Sequence, residues 1–275
     1  MKFVCINGEL AAAETASVPV SDRAFMYGDG LFETLRVVAG QPRLWDAHWD
    51  RFRMGTELLC INLTANSKVA RTHVDKLLEA NETKDAVVRI QLSRGVGPRG
   101  YSPRETKSPL LVITMHPLPA APAAWRLAMT SWRLPARNAL SSVKTTSKLL
   151  HILAKAEADE RGADEGLLLT DSGTVAQGTS SNLFWIESKF VCTAPEQSGI
   201  LPGVTRGAVL RACAQSNIPL RQTTVQPERL RDCDGIFLTL STCGIVEGAS
   251  LDGRDLSRSP LTAQIRETLL ESGGF

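Results

Sequence analysis

The sequence predicts a mixed α/β (α+β) protein of two domains, and three observations carry that expectation. Segments alternating apolar and polar residues with a period of two are interspersed with segments whose apolar residues recur every three to four positions, so strands and helices share the chain. At 275 residues the chain can build two units, each with its own core. The stretch MHPLPAAPAAW (115–125) is rich in proline and has no Asp, Glu, Lys or Arg, as a semi-rigid connector would. The boundary is therefore expected there. It would separate a small N-terminal α/β domain (1–117), a linker (118–125) and a larger C-terminal domain (126–275).

In order, Phe3–Ile6 and the residues after Asn7-Gly8 read as a hairpin, because Asn-Gly suits the tight turn. Leu31, Glu33, Leu35 and Val37 alternate with Phe32, Thr34 and Arg36 as in a strand, which Ala39-Gly40-Gln41 turns back. Helices are expected over 45–61, with His48 and Arg51 on one face, and over 67–80. Residues 86–93 and 110–115 read as strands, separated by a Gly-, Pro- and Arg-rich loop. Beyond the linker a strand is expected near 126–132. A helix should follow Thr145, Thr146 and Ser147 as candidate N-caps, with Leu149, Leu150, Leu153, Ala154 and Ala156 at helical spacing until Gly162. Strands over 167–170 and 174–178 come next, joined at Asp171-Ser172-Gly173. Then follow a strand over 190–193, a helix from Gly203 to about Asn217, and an apolar strand over 235–241. Asp252-Gly253 forms a late hairpin turn, and a final helix starts at Ser259-Pro260 and ends at Gly273.

Composition excludes several classes of function. A net charge of +2 without any block of like charge argues against a nucleic-acid partner. The N-terminus lacks an apolar signal core and no apolar run reaches membrane-spanning length. Cysteines 5, 60, 192, 213, 233 and 243 are scattered, with no CxxC and no His at ligand spacing, so no metal is expected. They read as free thiols. Together these features point to a cytoplasmic protein acting on a small-molecule substrate.

Two motifs are weighed and set aside. Gly95-Val96-Gly97-Pro98-Arg99-Gly100 fits GxGxxG, but Pro98 and Pro103 block the helix a dinucleotide site needs. Ser141-Ser142-Val143-Lys144 fits SxxK, but the S-D-N and K-T-G elements of serine acylases are missing. Two others suit covalent chemistry and an anion, respectively. Lys144 stands on irregular backbone before a helix, and Gly203-Val204-Thr205 opens a helix whose free N–H groups favour an anion.

VKTTSKLLHILAKAEA, followed by TVAQGTSSNLFW, resembles the fold-type IV pyridoxal-phosphate enzymes, which include branched-chain and D-amino-acid aminotransferases and aminodeoxychorismate lyase. The likeness runs from about residue 3 to about residue 250. It implies the two-domain D-amino-acid aminotransferase-like fold, with pyridoxal 5'-phosphate at the domain interface, and a homodimer with the active site near the subunit interface. Lys144 would hold the cofactor covalently; Lys148, inside the helical run, is the weaker choice. Arg51 (in HWDRF), Val204, Thr205, Ser241 and Thr242 match phosphate contacts, Leu201 matches the residue against the pyridine ring, and Gln177 the residue at its nitrogen.

Three features separate this chain from the family's transaminases. Gln177 stands where Glu is usual, so the charge that favours pyridinium is missing. Phe32, in GDGLFET, replaces a common Tyr. SRGVGPRGYS resembles the substrate loop of aminodeoxychorismate lyase, with Arg99 and Tyr101 at carboxylate-binding positions. The expectation is therefore elimination from 4-amino-4-deoxychorismate to 4-aminobenzoate and pyruvate. An aminotransferase for D-amino or branched-chain amino acids is the alternative, and a cofactor-binding protein with degraded activity the less favoured third.

Overall fold

A computed structural model describes residues 1–271 and Gly273. The chain divides into two compact units, Met1–Leu118 with Val143–Ser147, and Pro119–Ser142 with Lys148–Phe275. Residues 143–147, expected with the C-terminal domain, group with the first unit.

The first unit contains β1 (Phe3–Ile6), β2 (Glu9–Ala12), α1 (Arg23–Tyr27), β3 (Gly30–Val38), β4 (Gln41–Pro42), α2 (Trp45–Leu58), α3 (Ser67–Ala80), β5 (Ala86–Ser93) and β6 (Leu110–His116). The strands form an antiparallel sheet in the order β2-β1-β6-β5-β3-β4. Leu31, Leu35 and Val37 of β3 and Val88, Ile90 and Leu92 of β5 pack with Trp49 and Phe52 of α2 and Val74 and Leu77 of α3. Removing these side chains from water drives the sheet against its helices, at roughly 1.5–3 kcal/mol for each fully buried large apolar side chain. α2 ends at Leu58, short of the expected Ile61, where Cys60 turns the chain with φ 51°.

β4 pairs only with Val37 and Val38, which leaves the start of β3 open to another partner. Residues 143–147 take that place. Phe32 N–H donates to Lys144 C=O (2.9 Å), Thr146 N–H donates to Gly30 C=O (2.9 Å), and Leu31 bridges Thr145. Thr145 and Thr146 are held by this pairing, and Lys148 rather than Thr145, Thr146 or Ser147 stands at the N-cap of the following helix.

The second unit begins with β7 (Ala124–Leu134), which takes in the last two residues of the expected linker, and continues with α4 (Leu149–Glu160), β8 (Glu165–Thr170), β9 (Val175–Gly178), β10 (Asn182–Glu187), β11 (Phe190–Thr193), α5 (Val204–Gln215), β12 (Leu220–Gln222), α6 (Pro227–Leu230), β13 (Gly235–Leu240), β14 (Gly244–Leu251), β15 (Arg254–Asp255) and α7 (Pro260–Glu271). Its sheet runs β12-β11-β10-β13-β14-β7-β8-β9, with β15 on β14; the β7–β8, β7–β14 and β11–β12 pairs are parallel. Lys148 is the N-cap residue of α4 without a side-chain capping bond, rather than part of the helix. The buried residues of α4 are Ala154 and Ala158, while Leu149 and Ile152 stay 66% and 62% exposed. Among the described residues no helix is long and apolar enough to cross a membrane, and all six cysteines are free.

Gly30 ties β3 to β5 too closely for any side chain. A Cβ there would lie 2.5 Å from the Leu92 carbonyl oxygen, a backbone atom that cannot swing aside. Gly30→Ala is expected to lower stability by about 1–3 kcal/mol in urea denaturation, through strain on the sheet. An unchanged midpoint would contradict that close approach.

Candidate functional site

In the first unit the site residues are organised by β3, whose alternate side chains face opposite ways. Glu33 falls on the core-facing side with Leu31 and Leu35 and is 2% exposed. A carboxylate cannot stay there unpaired. α2 supplies the compensation three residues apart: Arg51 Nε donates to Glu33 Oε1 and Arg51 Nη2 to Oε2, both at 2.7 Å, while His48 Nδ1 lies 2.7 Å from Oε2. Burial alone would raise the Glu33 carboxyl; the Arg51 charge and the hydrogen bonds from His48 and Arg51 outweigh it and hold the group at about 2. His48 is pushed down, by burial first and then by the Arg51 and Lys144 charges, against the favourable Glu33 contact. At neutral pH it is an uncharged ring donating Nδ1–H. Glu33 thus fixes one edge of the Arg51 guanidinium, the expected anion ligand.

The other face of β3 carries Phe32. Lys144 Nζ lies 4.7 Å from its ring centroid, and the Arg89 guanidinium lies 3.6 Å away. Two cations share the electron-rich face system of one aromatic ring. Arg89 also donates to Gln91 Oε1, and burial lowers its pKa. The structure thus brings Lys144 and Phe32 together. Arg99 and Tyr101 are solvent-exposed, Tyr101 at 88%, on the loop between β5 and β6. Their backbone is nevertheless fixed. Buried Arg23 donates to the carbonyls of Gly100 (2.9 Å) and Tyr101 (3.2 Å), and Gly100 N–H donates to the Tyr27 hydroxyl (2.9 Å). No helix opens at the GxGxxG stretch.

In the second unit the organising group is Glu165, at the start of β8. It is 2% exposed and has no cationic partner among the described residues. Its Oε1 accepts from the N–H groups of Gly166 and Thr179 (both 3.0 Å) and from the Thr179 hydroxyl. Its Oε2 accepts from Ser180 Oγ (2.9 Å), Ser181 Oγ (3.1 Å) and Ser180 N–H (3.3 Å). The turn from β9 into β10 is thereby wrapped around a carboxylate.

The two residues flanking that turn, Gln177 and Asn182, both reach Leu201. Leu201 N–H donates to Gln177 Oε1, and Asn182 Nδ2 donates to Leu201 C=O, each at 2.8 Å. Asn182 Oδ1 lies so close to Gly203 that a Cβ there would be 1.9 Å away. Gly203 is the N-cap of α5 and gives its first turn no side-chain capping bond. Val204 and Thr205 stand in that turn, and among the described residues the buried Thr205 Oγ1 finds no hydrogen-bond partner, as is true of Thr239 Oγ1 on β13. Uncapped N–H groups beside an unsatisfied hydroxyl fit an anion such as a phosphate. Ser241 and Thr242 form the turn from β13 to β14 and are half-buried.

Residues 30–251 match the family model for class IV amino-transferases, and the chain belongs to that family. A protein of Methanocaldococcus jannaschii, provisionally named a branched-chain-amino-acid aminotransferase, is 30% identical over 270 residues, covering 96% of this chain and 94% of its own. The aminodeoxychorismate lyase of Bacillus subtilis is 29% identical over 248 residues, covering 89% and 85%. The crystal structure of 4-amino-4-deoxychorismate lyase from Pseudomonas aeruginosa superimposes with a TM-score of 0.88 at 31% identity, covering 99% of this chain and 100% of that one.

Sequence reasoning missed Glu33, Arg89, Glu165 and Asn182. Glu33 was detectable as a charge in the apolar register of β3, facing a His-Arg pair at i, i+3. The run Thr179-Ser180-Ser181, three donors in a row, was a sign that an acceptor lay near.

The Glu33 cluster predicts acid sensitivity. Its carboxyl sits at about 2 folded against 4.5 unfolded, so its stabilisation is complete above 4.5 and lost as pH falls through about 2. Glu33→Gln, which takes the buried carboxylate away from the Arg51 guanidinium and His48, is expected to cost about 3–5 kcal/mol at neutral pH and to flatten this acid limb in denaturation series. A variant with wild-type acid dependence would contradict the pairing.

Proposed function

We propose that this enzyme is a 4-amino-4-deoxychorismate lyase, forming 4-aminobenzoate and pyruvate. Its cofactor is pyridoxal phosphate, which when bound supplies an electron-accepting ring in conjugation with the substrate nitrogen. The observation that carries the choice of reaction is Gln177. A neutral amide with its oxygen committed to Leu201 N–H gives a pyridine nitrogen no compensating negative charge. A transaminase must store carbanion charge in the ring. An elimination whose product becomes aromatic needs that help less.

The residue roles follow. Lys144 would hold the cofactor covalently and would serve as general base toward the substrate. Its Nζ removes the proton from the substrate ring carbon that bears the amino group. The carbon–oxygen bond to the enolpyruvyl group breaks, the ring becomes aromatic, and the enol leaves and takes a proton to become pyruvate. Arg51, Val204, Thr205, Ser241 and Thr242 bind phosphate, and Leu201 supports the ring. Phe32 lines the substrate side, and Arg99 and Tyr101 take the substrate carboxylates. Apolar side chains left exposed within each unit, Val20 and Phe25 in the first and Leu149 and Ile152 in the second, support a homodimer in which Arg99 serves the neighbouring copy. The six free cysteines support a cytoplasmic setting.

The second reading, an aminotransferase, is favoured by the similarity to the Methanocaldococcus protein. Purified enzyme given 4-amino-4-deoxychorismate is expected to release pyruvate and 4-aminobenzoate in equal amounts. Lys144→Ala should lose both this turnover and the visible cofactor absorbance, whereas Lys148→Ala should keep both. Absence of pyruvate, together with pyridoxamine phosphate formed from D-alanine or L-leucine, would replace the lyase by the transaminase.

A further inference from the structure

We infer that Gln177 turns only an N–H donor toward the cofactor, so that the pyridine nitrogen bound beside it is held unprotonated, as an acceptor. This rests on the cofactor placement proposed above, and it holds for either reaction.

Leu201 N–H is a main-chain donor, and the atom 2.8 Å from it must accept. An amide side chain has one acceptor, so Oε1 faces Leu201 and Nε2 points away. Turning the amide over would set N–H against N–H inside a residue only 6% exposed, and a buried donor left without an acceptor costs about 1–3 kcal/mol.

Leu201 cannot move aside to free the oxygen. Its carbonyl is held by Asn182 Nδ2 at 2.8 Å, and the chain continues into Gly203, which lies against Asn182 Oδ1. Gln177 and Asn182 are spaced by the turn wrapped on Glu165. Among the described residues Nε2 itself donates to nothing.

The charged groups on the adjoining elements are spent elsewhere. Glu165 on β8 is enclosed by its donors from Gly166, Thr179, Ser180 and Ser181. Arg206 on α5 is taken up by Ala194 C=O, Gln222 Oε1 and Glu196. Within this unit, nothing bonded around Gln177 supplies the negative charge that would keep a pyridine nitrogen protonated. An N–H donor opposes that proton directly.

The test loads the full-length protein with pyridoxal phosphate labelled with ¹⁵N at the ring nitrogen and reads that nucleus by NMR, with free cofactor in acid and in alkali as the two references. The wild-type resonance is expected at the unprotonated position. Gln177→Glu keeps an oxygen for Leu201 N–H and adds a charge, so it should move the resonance to the pyridinium position. A pyridinium signal in the wild type, or the same signal in both proteins, would overturn the inference alone. A protein that takes up no labelled cofactor would overturn the cofactor placement with it.

Discussion

A buried carboxylate must be answered completely, and in this protein each unit is arranged around one that is. In the second unit Glu165 is matched without any cation, by two main-chain N–H groups of the turn, its own neighbour's N–H and three hydroxyls. Neutral donors can satisfy a charge only if every one is aimed at it. That requirement fixes the backbone from Gly178 to Ser181, and hence the spacing of Gln177 and Asn182, which between them hold Leu201. In the first unit Glu33 is met by Arg51 and His48. There the constraint fixes a guanidinium instead of a turn.

The two solutions have different chemical consequences. Pairing Glu33 with Arg51 fixes a guanidinium on α2, the proposed anion ligand, while neutralising the carboxylate that aligns it. Enclosing Glu165 in neutral donors gives position without charge, and Gln177 continues that neutrality up to the edge of the candidate site. The features of the second unit that would suit an anion are likewise uncharged: the open first turn of α5 and the hydroxyls of Thr205 and Thr239. In the proposed function a lysine would supply covalent chemistry, an arginine charge, and dipoles the remainder.

Much of this was legible in the chain. The strand alternation around Glu33, the Asn-Gly hairpin, the helix over 67–80 and the strands over 86–93 and 190–193 follow from local pattern, because each depends on neighbours in sequence. So does the anion-suited start of α5, which needs only a glycine and a free helix end. Pairings between distant segments were not legible. Nothing in Val143–Ser147 reveals that these residues complete the open edge of β3, so Thr145 and Thr146, which would serve as helix caps, pair with that strand instead. Leu149 and Leu153 have helical spacing yet are exposed on α4, because its buried residues are the alanines Ala154 and Ala158. The burial of Glu165 was invisible for the same reason, since its partners lie fourteen to sixteen residues away.

The pairing of residues 143–147 with β3 is also what separates the two lysines. Lys144 is anchored through its own carbonyl to Phe32 N–H and sits over that ring, whereas Lys148 stands at the start of α4. The most direct test reduces the cofactor-loaded protein with borohydride and maps the modified lysine by peptide mass spectrometry. The account requires the reduced phosphopyridoxyl group on Lys144. The group on Lys148, or on no lysine at all, would contradict it.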